Sequence, residues 1–296
     1  ITLYAVQKKA VQLTFHRCDG STWQKTTLAK GSSYSLPGVR DAEGYTFMGW
    51  STKPMQSVSP QYEAEEKITV NGNVDLYAVV FNRTTETDLT EDQLPQVDIY
   101  KYKQVIFVGD SRTEFMENVL TGMGESATKN VKFVCSAGKG LDWFTTTGWA
   151  QLYSIVQHDS NSILSKKTAV IFNFGVNDLS KSADYAEYYN WIAPQLKSKG
   201  CELYFMSVNP VNRLMLPNAG RADRSEAAVR SFNQYMKANL SSAYTYIDMY
   251  SYLKSTGYSF ASDHYGTGTV DDGLHYTTRT YKRIFAKCMD SLRVPA

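Results

Sequence analysis

The sequence contains only four cysteines and four histidines among its 296 residues. The cysteines form neither a Cys-x-x-Cys pair nor a Cys/His group with the spacing of zinc ligands, so we expect no metal site. The sequence also lacks the cysteine density of a disulfide scaffold. Three cysteines lie in or next to predicted strands and helices, which favours buried free thiols: Cys135, Cys201 and Cys288.

Long apolar runs and a strong charge of either sign are also absent. No stretch approaches the roughly 20 apolar residues that span a bilayer, so we expect no membrane span in this sequence. The net charge of +2 is too small to indicate nucleic acid binding. With 43% hydrophobic and 20% charged residues, the chain has the composition of a packed globular protein.

A short segment is repeated near the start of the chain. Residues 1–6 (Ile-Thr-Leu-Tyr-Ala-Val) return as Val-Asp-Leu-Tyr-Ala-Val at residues 74–79. We interpret residues 1–6 as the last strand of a truncated preceding repeat, and residues 7–81 as one complete, small, β-rich module. Because the sequence begins with Ile1 inside a predicted strand, we expect it to be a fragment of a longer protein.

The module carries an aromatic–glycine segment, Gly-Tyr-Thr-Phe-Met-Gly-Trp, at residues 44–50 and ends on Val-Asp-Leu-Tyr-Ala at residues 74–78. This combination resembles the Listeria–Bacteroides repeat, also called the internalin B-repeat. The resemblance implies a β-grasp-like fold and a secreted or surface-exposed bacterial protein. It also implies that the module associates with the cell wall or cell surface.

The composition changes after the module. Residues 82–99 are polar and acidic, and we interpret them as a linker or wrapping segment that precedes a second domain at residues 100–296. In this domain apolar runs alternate with amphipathic helical patterns such as 185–199 and 224–240. The pattern predicts an α/β fold, a three-layer α/β/α sandwich with a five-stranded parallel sheet. The predicted strands contain residues 105–108, 131–135, 169–174, 203–208 and 244–247.

Glycine-bearing polar segments follow three of these strands, and a fourth precedes the last predicted helix. In chain order they are Gly-Asp-Ser at 109–111, Cys-Ser-Ala-Gly-Lys-Gly at 135–140, Gly-Val-Asn-Asp at 175–178 and Asp-Gly-Leu-His at 272–275. Parallel strands end at one edge of a sheet, so we expect the four segments to lie close together. A serine at this edge can begin a helix, where backbone N–H groups favour a developing negative charge.

Together the four segments predict acyl transfer through a serine nucleophile. Serine needs an adjacent base, and His275 can supply it, because an unperturbed imidazole has a pKa of about 6.5. Asp272 lies three residues earlier, and we expect both side chains to project from a single turn. The Ser111 and Gly140 N–H groups and the Asn177 side-chain amide would form the oxyanion hole. Such a mechanism needs neither a metal nor a cofactor.

This arrangement resembles the SGNH, or GDSL-type, hydrolase family over residues 100–292. The resemblance implies a flavodoxin-like sandwich, with Ser111 as nucleophile, Gly140 and Asn177 as the block glycine and asparagine, and Asp272 with His275 as the final pair. Arg112 departs from the pattern, which has Leu at that position. The Gly-x-Ser-x-Gly elbow of α/β-hydrolases is absent.

Other interpretations of these residues stay open. Ser111 can be only a helix cap, and Gly138 competes with Gly140 as the oxyanion donor. Asp271 competes with Asp272 but lacks the Asp-x-x-His spacing. Four further residues are candidates for substrate binding, with packing or solvation as the alternative: Arg112, Trp143, Asn209 and His264.

We expect a serine esterase that hydrolyses short-chain acyl esters, acetyl esters above all, on a small molecule or on a carbohydrate or cell-wall polysaccharide. The substrate class rests on the surface association implied by the module. One alternative is an O-acyltransferase, in which a sugar hydroxyl intercepts the same acyl-enzyme. The other is a non-catalytic surface binding protein, although such a protein would be expected to lose at least one of the four segments.

Overall fold

The computed structural model describes residues 9–99, 101–158, 167–216, 224–262 and 271–292. Its contacts divide the chain into two compact units. The first consists of Ile1–Thr85 with Lys254–Tyr258, and the second of Glu86–Leu253 with Ser259–Ala296. The predicted strand at residues 1–6 lies outside the described residues, and the predicted domain limits stay a prediction.

The first unit is a β-rich module, as predicted. It contains strands β1 (Ala10–His16), β2 (Thr22–Ala29), β3 (Ser32–Ser35), β4 (Tyr45–Ser51), β5 (Lys67–Val70) and β6 (Val74–Asn82). Four strands form one sheet in the order β2-β1-β6-β4, with β1 and β6 parallel at its centre, and β3 pairs with β5. The aromatic–glycine segment forms β4, whose Trp50 is fully buried against Phe15. These aromatic rings belong to the core of the module, together with buried aliphatic side chains such as Leu13 and Leu76.

The second unit is built on five parallel strands: β7 (Tyr102–Gly109), β8 (Val131–Cys135), β9 (Lys167–Asn173), β10 (Cys201–Met206) and β11 (Tyr244–Ile247). Their order, β11-β10-β9-β7-β8, is that of a flavodoxin-like doubly wound sheet. The eight α-helices of the described residues are α1 (Ser111–Met123), α2 (Glu125–Thr128), α3 (Leu141–Trp143), α4 (Trp149–His158), α5 (Ser182–Lys197), α6 (Glu226–Asn239), α7 (Met249–Thr256) and α8 (Thr278–Ser291). The predicted α/β sandwich is confirmed.

Helices cover both faces of the sheet, and successive side chains of each strand pack against opposite helix layers. In β7, Ile106 and Val108 join a core formed with α4, α5 and α6. Phe107 lies between them in sequence, and its ring contacts Phe285 of α8 at a centroid distance of 5.8 Å. The continuous apolar run at residues 105–108 is therefore explained by helices on both sides of the strand.

Residues 86–97, which precede β7, pack on the rest of the second unit. Glu86 is buried and accepts hydrogen bonds from Ser259 Oγ at 2.6 Å and from Arg283 Nη1 at 3.0 Å. Leu94 and Val97 are buried as well. Residues 86–97 are thus held against the rest of the domain by the buried ion pair of Glu86 with Arg283 and by the buried side chains of Leu94 and Val97. Two further strands, β12 (Phe260–Ser262) and β13 (Asp271–Tyr276), form an antiparallel pair ahead of α8.

Candidate active site

Ser111 stands at the point where the strand order of the sheet reverses. The chain proceeds from β7 to β8 on one side, and β9 then pairs with the other side of β7. Clefts at the carboxyl ends of parallel strands open at such a point. Ser111 is the first residue of α1 and is 6% exposed. Asp110 caps the helix by accepting a hydrogen bond from the Arg112 N–H at 3.0 Å.

The structure brings Ser111, His275 and Asp272 into one hydrogen-bonded chain. His275 Nε2 lies 2.9 Å from Ser111 Oγ, and His275 Nδ1 lies 2.5 Å from Asp272 Oδ2. The other carboxylate oxygen of Asp272 accepts from the backbone N–H groups of Leu274 and His275 at 2.8 and 2.7 Å. All three side chains are buried. The carboxylate is therefore fixed at both oxygens while it orients the imidazole.

Asp272 and His275 lie in strand β13 rather than in the single turn that the spacing predicts. Residues three apart on a regular strand point to opposite faces, so a regular strand could not pair these two side chains. Gly273 has a φ of +67°, a conformation that residues with a Cβ rarely adopt. The irregular backbone at Gly273 allows the two side chains to meet.

A phenylalanine supports the imidazole from one side. Phe115 lies four residues after Ser111, one turn along α1, and its ring centroid is 4.7 Å from that of His275. The interplanar angle of 58° is that of a tilted aromatic contact. The first two turns of α1 thus contact His275 twice, through the serine hydroxyl and through this ring. Sequence analysis missed Phe115, although the helical period after Ser111 marks the position.

The glycine loop and the asparagine loop are bound to each other. Asn177 Nδ2 donates to the Lys139 carbonyl at 2.8 Å, and Asp178 Oδ2 accepts from the Leu141 N–H at 2.9 Å. A Cβ on Gly140 would lie 2.3 Å from the same Asp178 oxygen. The Asp178 carboxylate therefore packs directly against Gly140, and only glycine fits there. Gly138 has a positive φ and no neighbouring atom within 4 Å of a Cβ position.

Two buried carboxyl groups and one cation complete the surroundings of the loops. Burial raises the pKa of Asp110 to about 6, and the nearby Asp178 adds to this effect. Burial likewise raises the pKa of Asp178. The positive charge of Arg112 and, to a smaller extent, that of Arg224 counteract the shift in the pKa of Asp110. Arg224 Nη2 donates to Asn177 Oδ1 at 2.6 Å. Arg224 belongs to no sequence motif, so sequence analysis missed it.

Arg112 does not have the geometry of the predicted substrate-binding residue. It is 2% exposed, and its guanidinium donates to the backbone carbonyls of Leu274, Asn209 and Pro210 at 3.0, 3.0 and 2.9 Å. Its Cζ also lies 5.2 Å from the centroid of the Tyr276 ring. These contacts use all three guanidinium nitrogens. The structure therefore corrects this prediction and assigns Arg112 to packing and hydrogen bonding.

The remaining predicted substrate-binding residues have different positions. Trp143 is half-buried and packs against the core, with its ring centroid 6.0 Å from that of Phe174. Asn209 is 1% exposed. His264 lies outside the described residues. A role in substrate binding stays a prediction for these three residues.

The described residues contain no group of three or more His, Cys, Asp or Glu side chains that could hold a metal ion. In the same part of the chain, no helix is both long enough and apolar enough to cross a membrane. All four cysteines are free thiols, with Cys201 and Cys288 buried.

Three solved structures illustrate the structural similarity of the chain. A Bacteroides fragilis protein assigned as an acylhydrolase is 15% identical, with a TM-score of 0.45 over 68% of this chain and 93% of that one. An acetyl xylan esterase is 11% identical, with a TM-score of 0.42 over 64% of this chain and 100% of that one. The catalytic domain of Streptococcus pneumoniae peptidoglycan O-acetyltransferase A is 16% identical, with a TM-score of 0.38 over 64% of this chain and 92% of that one. Similarity at this level does not identify a substrate.

Family models match both parts of the chain, whereas no curated protein matches it. Residues 12–79 match the Listeria-Bacteroides repeat domain, which confirms the resemblance of the module. Residues 105–288 match the model described as GDSL-like Lipase/Acylhydrolase. This match covers more than half of the chain and includes Ser111 and His275. The chain therefore belongs to the GDSL-like lipase/acylhydrolase family and is an SGNH-type serine esterase that carries a Listeria–Bacteroides repeat.

Proposed function

We propose that the protein cleaves esters through a covalent acyl-Ser111 intermediate. The observation that carries this proposal is the continuous hydrogen-bonded chain from Asp272 through His275 to the Ser111 hydroxyl. His275 Nε2 takes the hydroxyl proton while Ser111 Oγ attacks the ester carbonyl. The tetrahedral oxyanion accepts hydrogen bonds from the Ser111 and Gly140 N–H groups and from the Asn177 amide.

Collapse of the tetrahedral intermediate breaks the bond to the alcohol oxygen, which takes the proton from His275. In the second half of the reaction His275 removes a proton from water as the water oxygen attacks the acyl carbonyl. Collapse of the second tetrahedral intermediate breaks the bond to Ser111 Oγ, which takes that proton back from His275 as the carboxylic acid leaves. Asp272 holds the imidazole with Nε2 directed at Ser111 and stabilises the imidazolium that forms twice in each cycle. At the end of the cycle Ser111 and His275 have regained their starting protonation states, and no step written here uses a cofactor.

We further propose that the substrate is an acetyl ester on a cell-wall or other polysaccharide and that the protein acts outside the cell or at its surface. The support is the match of residues 12–79 to the Listeria-Bacteroides repeat domain, a resemblance that implies a surface or secreted bacterial protein. An enzyme attached to such a module would meet acetylated glycans directly. This step rests on analogy with the family rather than on a contact in the site.

The mechanism is tested by hydrolysis of a short-chain aryl ester. Ser111→Ala should reduce kcat by several orders of magnitude, since the nucleophile is lost and only binding and the oxyanion donors remain. Ser251→Ala removes an exposed hydroxyl from α7 and should leave kcat unchanged. Equal rates for the wild type and Ser111→Ala would refute the assignment.

The acceptor is tested separately. With an acetyl donor and an added glycan, a hydrolase releases all of its acetyl groups as acetate, whereas an O-acyltransferase forms acetylated glycan. Exclusive acetate release would exclude transfer. Acetylated glycan as the main product would overturn the hydrolytic assignment while leaving the acyl-Ser111 step intact.

A further inference from the structure

We propose that Arg224 is a positioning residue for the oxyanion hole and acts through the side-chain amide of Asn177. The inference rests on the proposed function, because it assigns a role to a residue that contacts Asn177 rather than the substrate. Arg224 lies just before α6, 47 residues after Asn177 in the chain. None of the four sequence motifs contains it.

The amide of Asn177 is held at both ends by partners of fixed hydrogen-bonding type. A guanidinium can only donate, so the atom 2.6 Å from Arg224 Nη2 must be the amide oxygen. The Lys139 carbonyl can only accept, so the atom 2.8 Å from it must be the amide nitrogen. These two contacts determine which end of the amide is which. Among the described residues, the Lys139 carbonyl is the one remaining hydrogen-bond partner that would oppose a flip of the amide if Arg224 were absent.

The orientation matters because the amide nitrogen carries two N–H groups. One of them donates to Lys139, and the second is the donor that the proposed oxyanion hole requires. A flipped amide would instead present its oxygen lone pairs to a developing negative charge. Donation from a guanidinium to the amide oxygen also withdraws electron density from the amide, which makes its N–H groups stronger donors.

A purely structural arginine would stabilise the fold without favouring the transition state over the bound substrate. The inference therefore predicts an effect on kcat rather than on KM.

A double-mutant cycle tests this coupling with a short-chain aryl ester. Removing an oxyanion donor typically costs about 10²–10³ in kcat, which is the expected loss for Asn177→Ala. Arg224→Met leaves the donor in place but no longer fixed, so we expect a smaller loss of about 10-fold in kcat with little change in KM. In the Asn177→Ala background, Arg224→Met should have no further effect. Arg224→Lys keeps a cation and should recover part of the loss.

Two control measurements accompany the cycle. Arg230→Met replaces another half-buried arginine, within α6, and should stay within 2-fold of the wild type. Thermal unfolding of each variant identifies any that fail to fold, and Arg224→Lys provides the conservative variant.

The outcomes separate the two proposals. An equal loss from Arg224→Met in both backgrounds, or no loss in the wild type, would overturn the role of Arg224 while leaving the acyl-enzyme mechanism standing. Full activity of Ser111→Ala in the same assay would instead overturn the proposed function itself.

Discussion

The role of Asp272 can be tested without disturbing the loop that holds it. In the wild type, Asp272 Oδ1 accepts hydrogen bonds from the backbone N–H groups of Leu274 and His275 at 2.8 and 2.7 Å. Asp272→Asn retains a side-chain oxygen that can accept both. The substitution changes only the group that faces His275 Nδ1, where an acceptor 2.5 Å away becomes an NH₂ donor. The fold is therefore expected to survive while the hydrogen bond to the imidazole is reversed.

The reversal has a large predicted cost. Facing a donor, His275 Nδ1 must become the acceptor, so Nε2 carries the proton and can no longer take one from Ser111 Oγ. Loss of the correct tautomer in a serine triad lowers kcat by about 10⁴. That factor corresponds to about 5.5 kcal/mol of transition-state stabilisation. Because the substrate does not contact Asp272 in this mechanism, KM should change little.

The measurement is kcat and KM for a short-chain aryl ester at neutral pH, with thermal unfolding to verify that the variant folds. Asp271→Asn is the matched control, since Asp271 adjoins Asp272 but lacks the Asp-x-x-His spacing, and it should retain kcat within a few-fold. A loss below about 10-fold for Asp272→Asn would refute the reasoning. A larger loss for Asp271→Asn than for Asp272→Asn would reassign the acidic residue.

Three further predictions concern the supports of the site. Gly140→Ala would place a Cβ 2.3 Å from Asp178 Oδ2, so kcat for the aryl ester should fall at least about 10-fold, and an unchanged kcat would contradict the packing. Arg112→Met leaves three buried carbonyls without their donor and should lower the free energy of unfolding in urea by about 3 kcal/mol, whereas a change below 1 kcal/mol would contradict it. The folded-state pKa of Asp110 is raised by burial to about 6 from 3.8, so the folded state binds its proton more tightly than the unfolded chain. This group's contribution to the free energy of unfolding should therefore fall by up to about 3 kcal/mol as the pH rises from 4 to 7, and urea unfolding of Asp110→Asn should show that fall removed.

The sheet and the proposed triad were predictable because both depend on local patterns. Each strand of the parallel sheet is a short apolar run, since helices cover both faces, and all five predicted runs overlap observed strands. The segments that contain Ser111, Gly140 and Asn177 follow strands of the parallel sheet, whose ends meet at one edge, whereas His275 lies in β13, outside that sheet. The prediction that His275 lies beside Ser111 came from the complete set of four motifs. The hydrogen bond between these two side chains at 2.9 Å fits that expectation.

The supports of the site were not predictable because their partners are distant in the chain or are backbone atoms. Arg224 is 47 residues from Asn177. The guanidinium of Arg112 donates its hydrogen bonds to main-chain carbonyls, which leave no trace in the pattern of side chains along the sequence. The strand that contains Asp272 and His275 was predicted as a turn. The Asp-x-x-His spacing predicted a pair, and the two side chains lie 2.5 Å apart, but a spacing does not specify the positive φ at Gly273 that brings them together.

The position after the nucleophile shows how one motif residue affects the opposite side of the site. Arg112 follows Ser111 directly, and its guanidinium ties the first turn of α1 to Leu274, the residue before His275, and to Asn209 after β10. The base and the nucleophile are therefore joined twice, by their own hydrogen bond and through the neighbouring arginine. An apolar residue at position 112 would fill space but could not satisfy three carbonyls. We infer that substitutions at Arg112 affect the alignment of His275 with Ser111 more than they affect which substrate the enzyme accepts.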